Sequence, residues 1–237
     1  MNLGSRLALL LLCLFAFNAA VSAQTTPTAT PAPPSTQAAP QKANQRPAVS
    51  ASAASEPFDG ASVERMAEQC VKLETDAGAI ELEMLPEAAP ESVRNFLNLV
   101  ATGMLDTTTF SRVVKDFVIQ GGNLSTREKV SMEIARRSRH TIPDEPNYVK
   151  HQPGIVSMAR PDEPNSATTN FFILVADAPF LDGKFSAFGR VTSGMQTVDA
   201  INRAPSMPTN AEKPLRPVRI KRATVAPCPA KPAKPGD

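Results

Sequence analysis

Tryptophan is absent from this chain of 237 residues, tyrosine occurs once, and aromatic residues make up 5% of it. No indole N–H is therefore available to any site the chain builds. Two histidines and three cysteines are too few for most metal clusters, and no Cys, Asp and His set stands at ligand spacing, so neither metal nor other cofactor is expected. Charge of one sign is lacking too. Lys and Arg together number 25 against 23 Asp and Glu, a net charge of +2, which removes the electrostatic case for nucleic acid or an acidic surface as partner. The apolar run "LALLLLCLFAF", residues 7–17, is too short for a comfortable membrane span, so no span is expected in the mature chain.

That run fits an export signal. Arg6 supplies the positive start, and "VSA" ahead of Gln24 offers small residues for cleavage after Ala23. A lipoprotein reading through Cys13 meets Leu12 where a small residue is needed, and an uncleaved anchor is the remaining alternative. Residues 1–23 are thus expected to be a signal peptide and the protein to be exported, with the periplasm as the expected compartment and secretion as the alternative. Proline is plentiful, 23 in all, and unevenly placed. Residues 24–60 are dominated by Pro, Ala, Thr and Ser and nearly lack large apolar side chains. Such a segment buries too little surface to offset its ordering entropy and is expected to be a disordered linker. A shorter tail of the same kind is expected over 229–237. Between them, 61–228 has the size and patterning of one domain.

Within that domain the hydrophobic period changes repeatedly. "SVERMAEQC" spaces Val63, Met66, Ala67 and Cys70 as a short lead-in helix. Val71, Leu73 and Thr75, then Ile80, Leu82 and Met84, alternate around Asp76-Ala77-Gly78 and predict a hairpin with one buried face. Val93, Phe96, Leu97 and Val100 predict a helix opened by Pro90 and stopped before Gly103. Short strand-like pieces follow: "TTFSRVV", "FVIQGG", "GIVSMAR", "NFFILVA" and "SAFGRVTSG". Asp182-Gly183 carries a hairpin signal. Met195, Val198 and Ile201 predict a second helix begun by Ser193. In "PVRIKRATV" the parity changes between Ile220 and Ala223, which asks for a bulge near Lys221. Ser125 and Glu128 match a capping box, so a short helix is expected after them, and His140 and His151 read as solvated surface residues. The sum is a mainly β protein, an antiparallel sheet closing into a barrel with helices over its ends.

"FSRVVKDFVIQGG", residues 110–122, holds Arg112 and Gln120 in apolar company. A buried guanidinium is costly unless paired. Either these groups satisfy one another in a core or they face a cavity that receives a ligand.

This stretch, together with "GIVSMARPDEPNSATTNFFILVADAPFLDGKFSAFGRV", "LETDAGAIELEML" and "APESVRNFLNLV", closely resembles the cyclophilin family of peptidyl-prolyl isomerases, over about residues 69–226. The resemblance implies a closed eight-stranded antiparallel β-barrel capped by two α-helices. It implies a proline pocket on the outside of the barrel, with Arg112, Phe117 and Gln120 as catalytic residues. It further implies substrate contacts from Val118, Ala159, Arg160, Asn170, Phe172, Phe180, Leu181 and Phe185. Asn170 stands where the family usually has glutamine, and Arg160 where its best-known members have asparagine. Arg160 is read either as a peptide contact or as a solvated rim charge. Phe180 and Phe185 occupy a tryptophan and a common histidine position, keeping an aromatic wall but losing an N–H donor.

The activity implied is rotation of X–Pro bonds in proline-containing peptides and unfolded exported proteins, by a monomer. A proline-binding chaperone module with weak catalysis is the alternative; binding alone does not need the cation. A hollow ligand-carrying barrel has no support, since small barrels fill with side chains. The family's first and last strands are antiparallel neighbours, which implies a disulfide between Cys70 and Cys228, set against two unpaired thiols in a lead-in helix and a mobile tail.

Overall fold

Alternating burial over residues 71–84 makes the expected hairpin. After a one-turn helix α1 (Val63–Ala67), capped by the Ser62 side chain, strand β1 (Gln69–Thr75) turns into β2 (Gly78–Met84). Val71, Leu73, Thr75, Ile80, Leu82 and Met84 all face inward. Cys70 belongs to β1 and not to the lead-in helix. The structure is a computed structural model that describes residues 55–229. The expected signal peptide, most of the expected linker and all but Pro229 of the expected tail lie outside the described residues.

Helix α2 (Pro90–Ala101) begins with proline, whose missing N–H costs nothing in the first turn, and is followed by Gly103 in the left-handed conformation. Its buried face carries Val93, Phe96, Leu97 and Val100. Phe96 sits 5.2 Å from Phe171 and 5.0 Å from Phe188, ring centre to ring centre. Each such buried side chain contributes about 1.5–3 kcal/mol of transfer free energy, so this helix is held mainly by the sheet it plugs.

The remaining elements are β3 (Arg112–Val114), β4 (Val118–Gly121), α3 (Met132–Arg137), β5 (Ile155–Met158), β6 (Phe171–Leu174), β7 (Ala187–Ser193), α4 (Met195–Asn202), β8 (Ser206–Met207), β9 (Asn210–Pro214) and β10 (Ile220–Pro227). Eight strands form one antiparallel sheet in the order β10-β1-β2-β7-β5-β6-β4-β3, while β8 and β9 pair only with each other. The expected closed barrel needs correcting. The edge strands β3 and β10 share no ladder; the segment leading into β3 meets the start of β10 through the bridge of Thr109 with Arg219 and the backbone hydrogen bonds that join Thr107, Thr108 and Phe110 to Ile220 and Val218. The sheet is curled around its core and not closed by continuous pairing. The bulge expected near Lys221 is present: Glu74 faces Arg222 and Thr75 faces Ile220, leaving Lys221 extra.

Several local signals resolved differently. Helix α4 is entered through Gly194 at φ 92°, and Ser193 ends β7. A Cβ on Gly194 would stand 2.2 Å from the Ala79 carbonyl oxygen, so close approach selects glycine there over a hydroxyl cap. The Ser125–Glu128 capping box is not made; Leu124–Thr126 is a 3₁₀ turn capped by Asn123, and α3 starts later under Ser131. Asp182-Gly183 follows a 3₁₀ turn, Pro179–Leu181, and joins no hairpin. The folded region also begins before residue 61: Phe58 is buried, and its N–H donates to Asn98 Oδ1 at 2.7 Å. His140 is exposed as expected, but His151 is 1% exposed.

Candidate active site

The sheet is apolar on both faces where β3, β4, β6 and β5 lie side by side. Val113, Ile119, Ile173 and Val156 face the main core. The alternate residues Val114, Val118, Phe172 and Leu174 belong to a second, smaller apolar cluster with Phe117, Ala159, Leu181 and Phe185. Two apolar faces explain why the segment 113–119 reads as bursts and not as clean alternation. In the outer row Arg112 stands opposite Gln120, and Gln120 opposite Phe172. Residues directly opposite in antiparallel strands share a face, so register alone sets cation, amide and aromatic ring in line.

They line a cavity of about 150 Å³, bounded by Arg112, Phe117, Val118, Gln120, Ala159, Arg160, Phe172, Leu181 and Phe185. Two expected site residues are not among its lining. Asn170 contributes a backbone oxygen that accepts from the Ala159 N–H at 2.9 Å. Phe180 is 59% exposed and stacks beside Phe117, with ring centres 5.6 Å apart.

Both cations at the cavity are engaged. Arg112 donates from Nε and Nη2 to the two carboxylate oxygens of Glu212, at 2.8 and 3.2 Å, and from Nη1 to Gln120 Oε1 at 3.3 Å. Its guanidinium holds the Glu212 carboxyl below the usual carboxylate range, by hydrogen bonding first and by charge second. Arg160 lines the cavity while its side chain is held from behind. It pairs with Asp144 at 3.2 Å, donates to the Pro161 carbonyl and lies 5.5 Å over the Phe185 ring.

Three groups that sequence reasoning passed over hold these residues in place. Asn202, buried on α4, donates to the carbonyls of Val114 and Val118 and accepts from the Asp116 N–H. It thereby fixes the β3–β4 turn, where Asp116 takes φ 58°. Gly122, with φ 84°, closes the end of β4; a Cβ there would stand 2.1 Å from the Thr169 carbonyl oxygen. His151 lies 3.1 Å from Asp182 Oδ1 through Nδ1 and 3.0 Å from Ser157 Oγ through Nε2. This is the composition of a nucleophilic triad, but Ser157 is 0% and His151 1% exposed, so no substrate reaches it. The group ties the 178–185 loop, with Leu181 and Phe185, to β5. Among the described residues no cluster of His, Cys, Asp or Glu is placed to hold a metal ion.

The sequence profile described as cyclophilin type peptidyl-prolyl cis-trans isomerase/CLD matches residues 70–225. The chain belongs to this family. Among its relatives, peptidyl-prolyl cis-trans isomerase cypE of Dictyostelium discoideum is 39% identical over 67% of this chain and 99% of that protein. A peptidyl-prolyl cis-trans isomerase of Acinetobacter baylyi is 34% identical over 67% of this chain and 86% of that protein. The fold agrees with a cyclophilin-type isomerase of Cryptosporidium parvum solved in the presence of the dipeptide Ala-Pro: TM-score 0.58, 30% identity, 66% of this chain and 98% of that one. As a cyclophilin-type chain the protein is a peptidyl-prolyl cis-trans isomerase. Arg112, Gln120 and the apolar cavity lie within the matched region, and so does Glu212.

Proposed function

We propose that this cyclophilin-type enzyme accelerates X–Pro rotation in exported proteins as they fold, with Arg112 stabilising the twisted amide while the cavity holds the proline ring. The observation that carries the reading is the cross-strand pair Arg112 and Gln120 at the edge of an apolar cavity walled by Phe117, Phe172 and Leu181. An X–Pro amide rotates over a barrier of about 18–20 kcal/mol because resonance makes its C–N bond partly double. In the twisted state that resonance is lost and a lone pair gathers on the prolyl nitrogen. A guanidinium aimed at that nitrogen binds the twisted state better than either planar one, which is the condition for catalysis. The cavity grips the ring and sheds water. No nucleophile, metal or cofactor enters.

The reading as a proline-peptide site draws support from the relative crystallised with Ala-Pro. Export draws support from the signal-like start and from a mature chain with two cysteines in a bond. Among the described residues no helix is long and apolar enough to cross a membrane.

The test is isomer exchange in a proline tetrapeptide, read by magnetisation transfer with and without enzyme. Wild type accelerates exchange, and Arg112→Ala keeps its circular dichroism but loses about 10²–10³ in kcat, the scale of removing one preorganised charge-stabilising donor. An Arg112→Ala variant of near wild-type rate would overturn the assigned mechanism. No acceleration by wild type would leave the proline-binding chaperone reading.

A further inference from the structure

The carboxylate on Arg112 comes from an element with no other partner in the sheet. The β8–β9 hairpin is closed at its base by the Leu215 N–H on the Pro205 carbonyl, 2.8 Å. Its tip is set by an Asx turn in which Asn210 Oδ1 accepts from the Glu212 N–H at 3.0 Å. The hairpin packs along β3. The side chain it sends to Arg112 is Glu212, from 100 residues away in sequence.

We propose that Glu212 is a positioning residue for Arg112, and this rests on the proposed role of Arg112 in catalysis. An arginine side chain that is 41% exposed is free to sample many rotamers, and an undirected cation stabilises no particular atom. The guanidinium has five N–H donors in one plane. Glu212 takes Nε–H and one Nη2–H as a fork, and Gln120 takes one Nη1–H. Two contacts on different edges fix the plane and leave one N–H on each terminal nitrogen for the substrate. The carboxylate also subtracts from the cation's field. Glu212 is 51% exposed, however, and solvent screens that subtraction, whereas the direction set by a bidentate fork is not screened. Orientation is therefore the larger effect. As a surface ion pair the contact adds little to stability, so its removal separates positioning from folding.

The experiment measures kcat and KM of the full chain on a proline tetrapeptide for wild type, Glu212→Ala, Glu212→Gln and Glu212→Asp, each also in an Arg112→Lys background. Glu212→Ala lowers kcat about tenfold with KM within about twofold, because the loss falls on a transition-state contact. Glu212→Gln, which keeps one acceptor, recovers part of the loss. In the Arg112→Lys background, where no fork exists, Glu212→Ala changes kcat by less than about twofold. A Glu212→Ala enzyme with kcat at or above wild type overturns the proposal and makes the carboxylate a brake. An equal loss in both backgrounds also overturns it, since Glu212 would then act independently of Arg112. Failure of this inference alone is recognised by an active wild type and a dead Arg112→Ala; an inactive wild type removes both.

Discussion

His151 turns a surface loop into a wall of the cavity. Its ring bridges Asp182 and Ser157, its N–H donates to Asp182 Oδ1 at 2.9 Å, and its carbonyl accepts from the Ala178 N–H at 2.8 Å. Asp182 is the receiving end. The His151 backbone N–H first, and the Lys150 ammonium next, lower its carboxyl from 3.8 to about 2. A folded-state value below the unfolded one means stabilisation that is complete above the unfolded value and is lost as the pH falls through the folded one. Asp182→Asn is therefore expected to melt below wild type at neutral pH, with the gap closing between about pH 4 and pH 2. Thermal unfolding across that range checks it, and a gap that persists unchanged at pH 2 would contradict it. Arg112 and Gln120 were visible in the sequence as a cation and an amide within one apolar stretch, though only the family resemblance chose a cavity over a core for them. His151 was not: its burial comes from residues 157 and 182, and nothing beside it in the chain announces them. Glu212 was equally silent, a lone carboxylate in a polar, proline-flanked stretch with no period.

At the scale of elements, the site depends on one short turn. The β3–β4 hairpin has only three residue pairs, and short hairpins are marginal alone. Asn202 supplies what the ladder lacks by bonding both its strands and the turn between them. Asn202→Ala takes a donor from the Val114 and Val118 carbonyls and an acceptor from the Asp116 N–H, though the Val114 carbonyl still accepts from the Phe117 N–H, and should cost about 1–2 kcal/mol in urea unfolding. Under conditions where the variant stays fully folded, kcat should still fall, because Arg112 and Gln120 ride on that hairpin. Normal kcat with lowered stability would show that the turn is over-determined without Asn202. The elements with a long, uninterrupted period, β1, β2 and α2, could be located from sequence because burial of one face decides them. The caps could not. Ser193 and Ser125 satisfy the local preference for a hydroxyl at a helix start, yet Gly194 wins where the Ala79 carbonyl leaves no room, and Ser125 is taken into the 3₁₀ turn Leu124–Thr126, so that the next helix starts only at Ser131. Asp182-Gly183 lost its hairpin because the Asp182 side chain is committed to the His151 loop.

For the whole molecule, the sequence blurred where the folded region starts, while the resemblance anticipated the disulfide that ties its end. The lead-in before residue 61 looked like linker by composition. Phe58 nevertheless packs against α2, and Arg94 holds the Phe58 and Ala61 carbonyls. A chain starting at Ala61 should lose about 2 kcal/mol with Phe58, lowering the melting midpoint by roughly 5 °C, whereas a chain starting at Ser55 should melt as the full chain does. Equal midpoints for the two truncations would mean the lead-in adds nothing. The other end is tied covalently. Cys70 lies in β1 opposite Ala226, and Cys228 follows β10 directly, its N–H on the Glu68 carbonyl at 2.9 Å. The two cysteines are bonded with Cα atoms 4.8 Å apart, across a separation of 158 residues. In the chain-entropy account so long a loop gives up to about 5 kcal/mol. The β1–β10 ladder already joins the same ends, and fraying is all the bond has left to suppress, so the expected loss on Cys70→Ser with Cys228→Ser is about 2–4 kcal/mol. That corresponds to a midpoint lower by roughly 10 °C. Isomerase activity at room temperature should be unchanged, because neither cysteine lines the cavity. Adding reductant to wild type should reproduce the shift. Two titratable thiols in unreduced protein from an oxidising compartment, or a midpoint indifferent to reductant, would show that the ladder alone holds the ends.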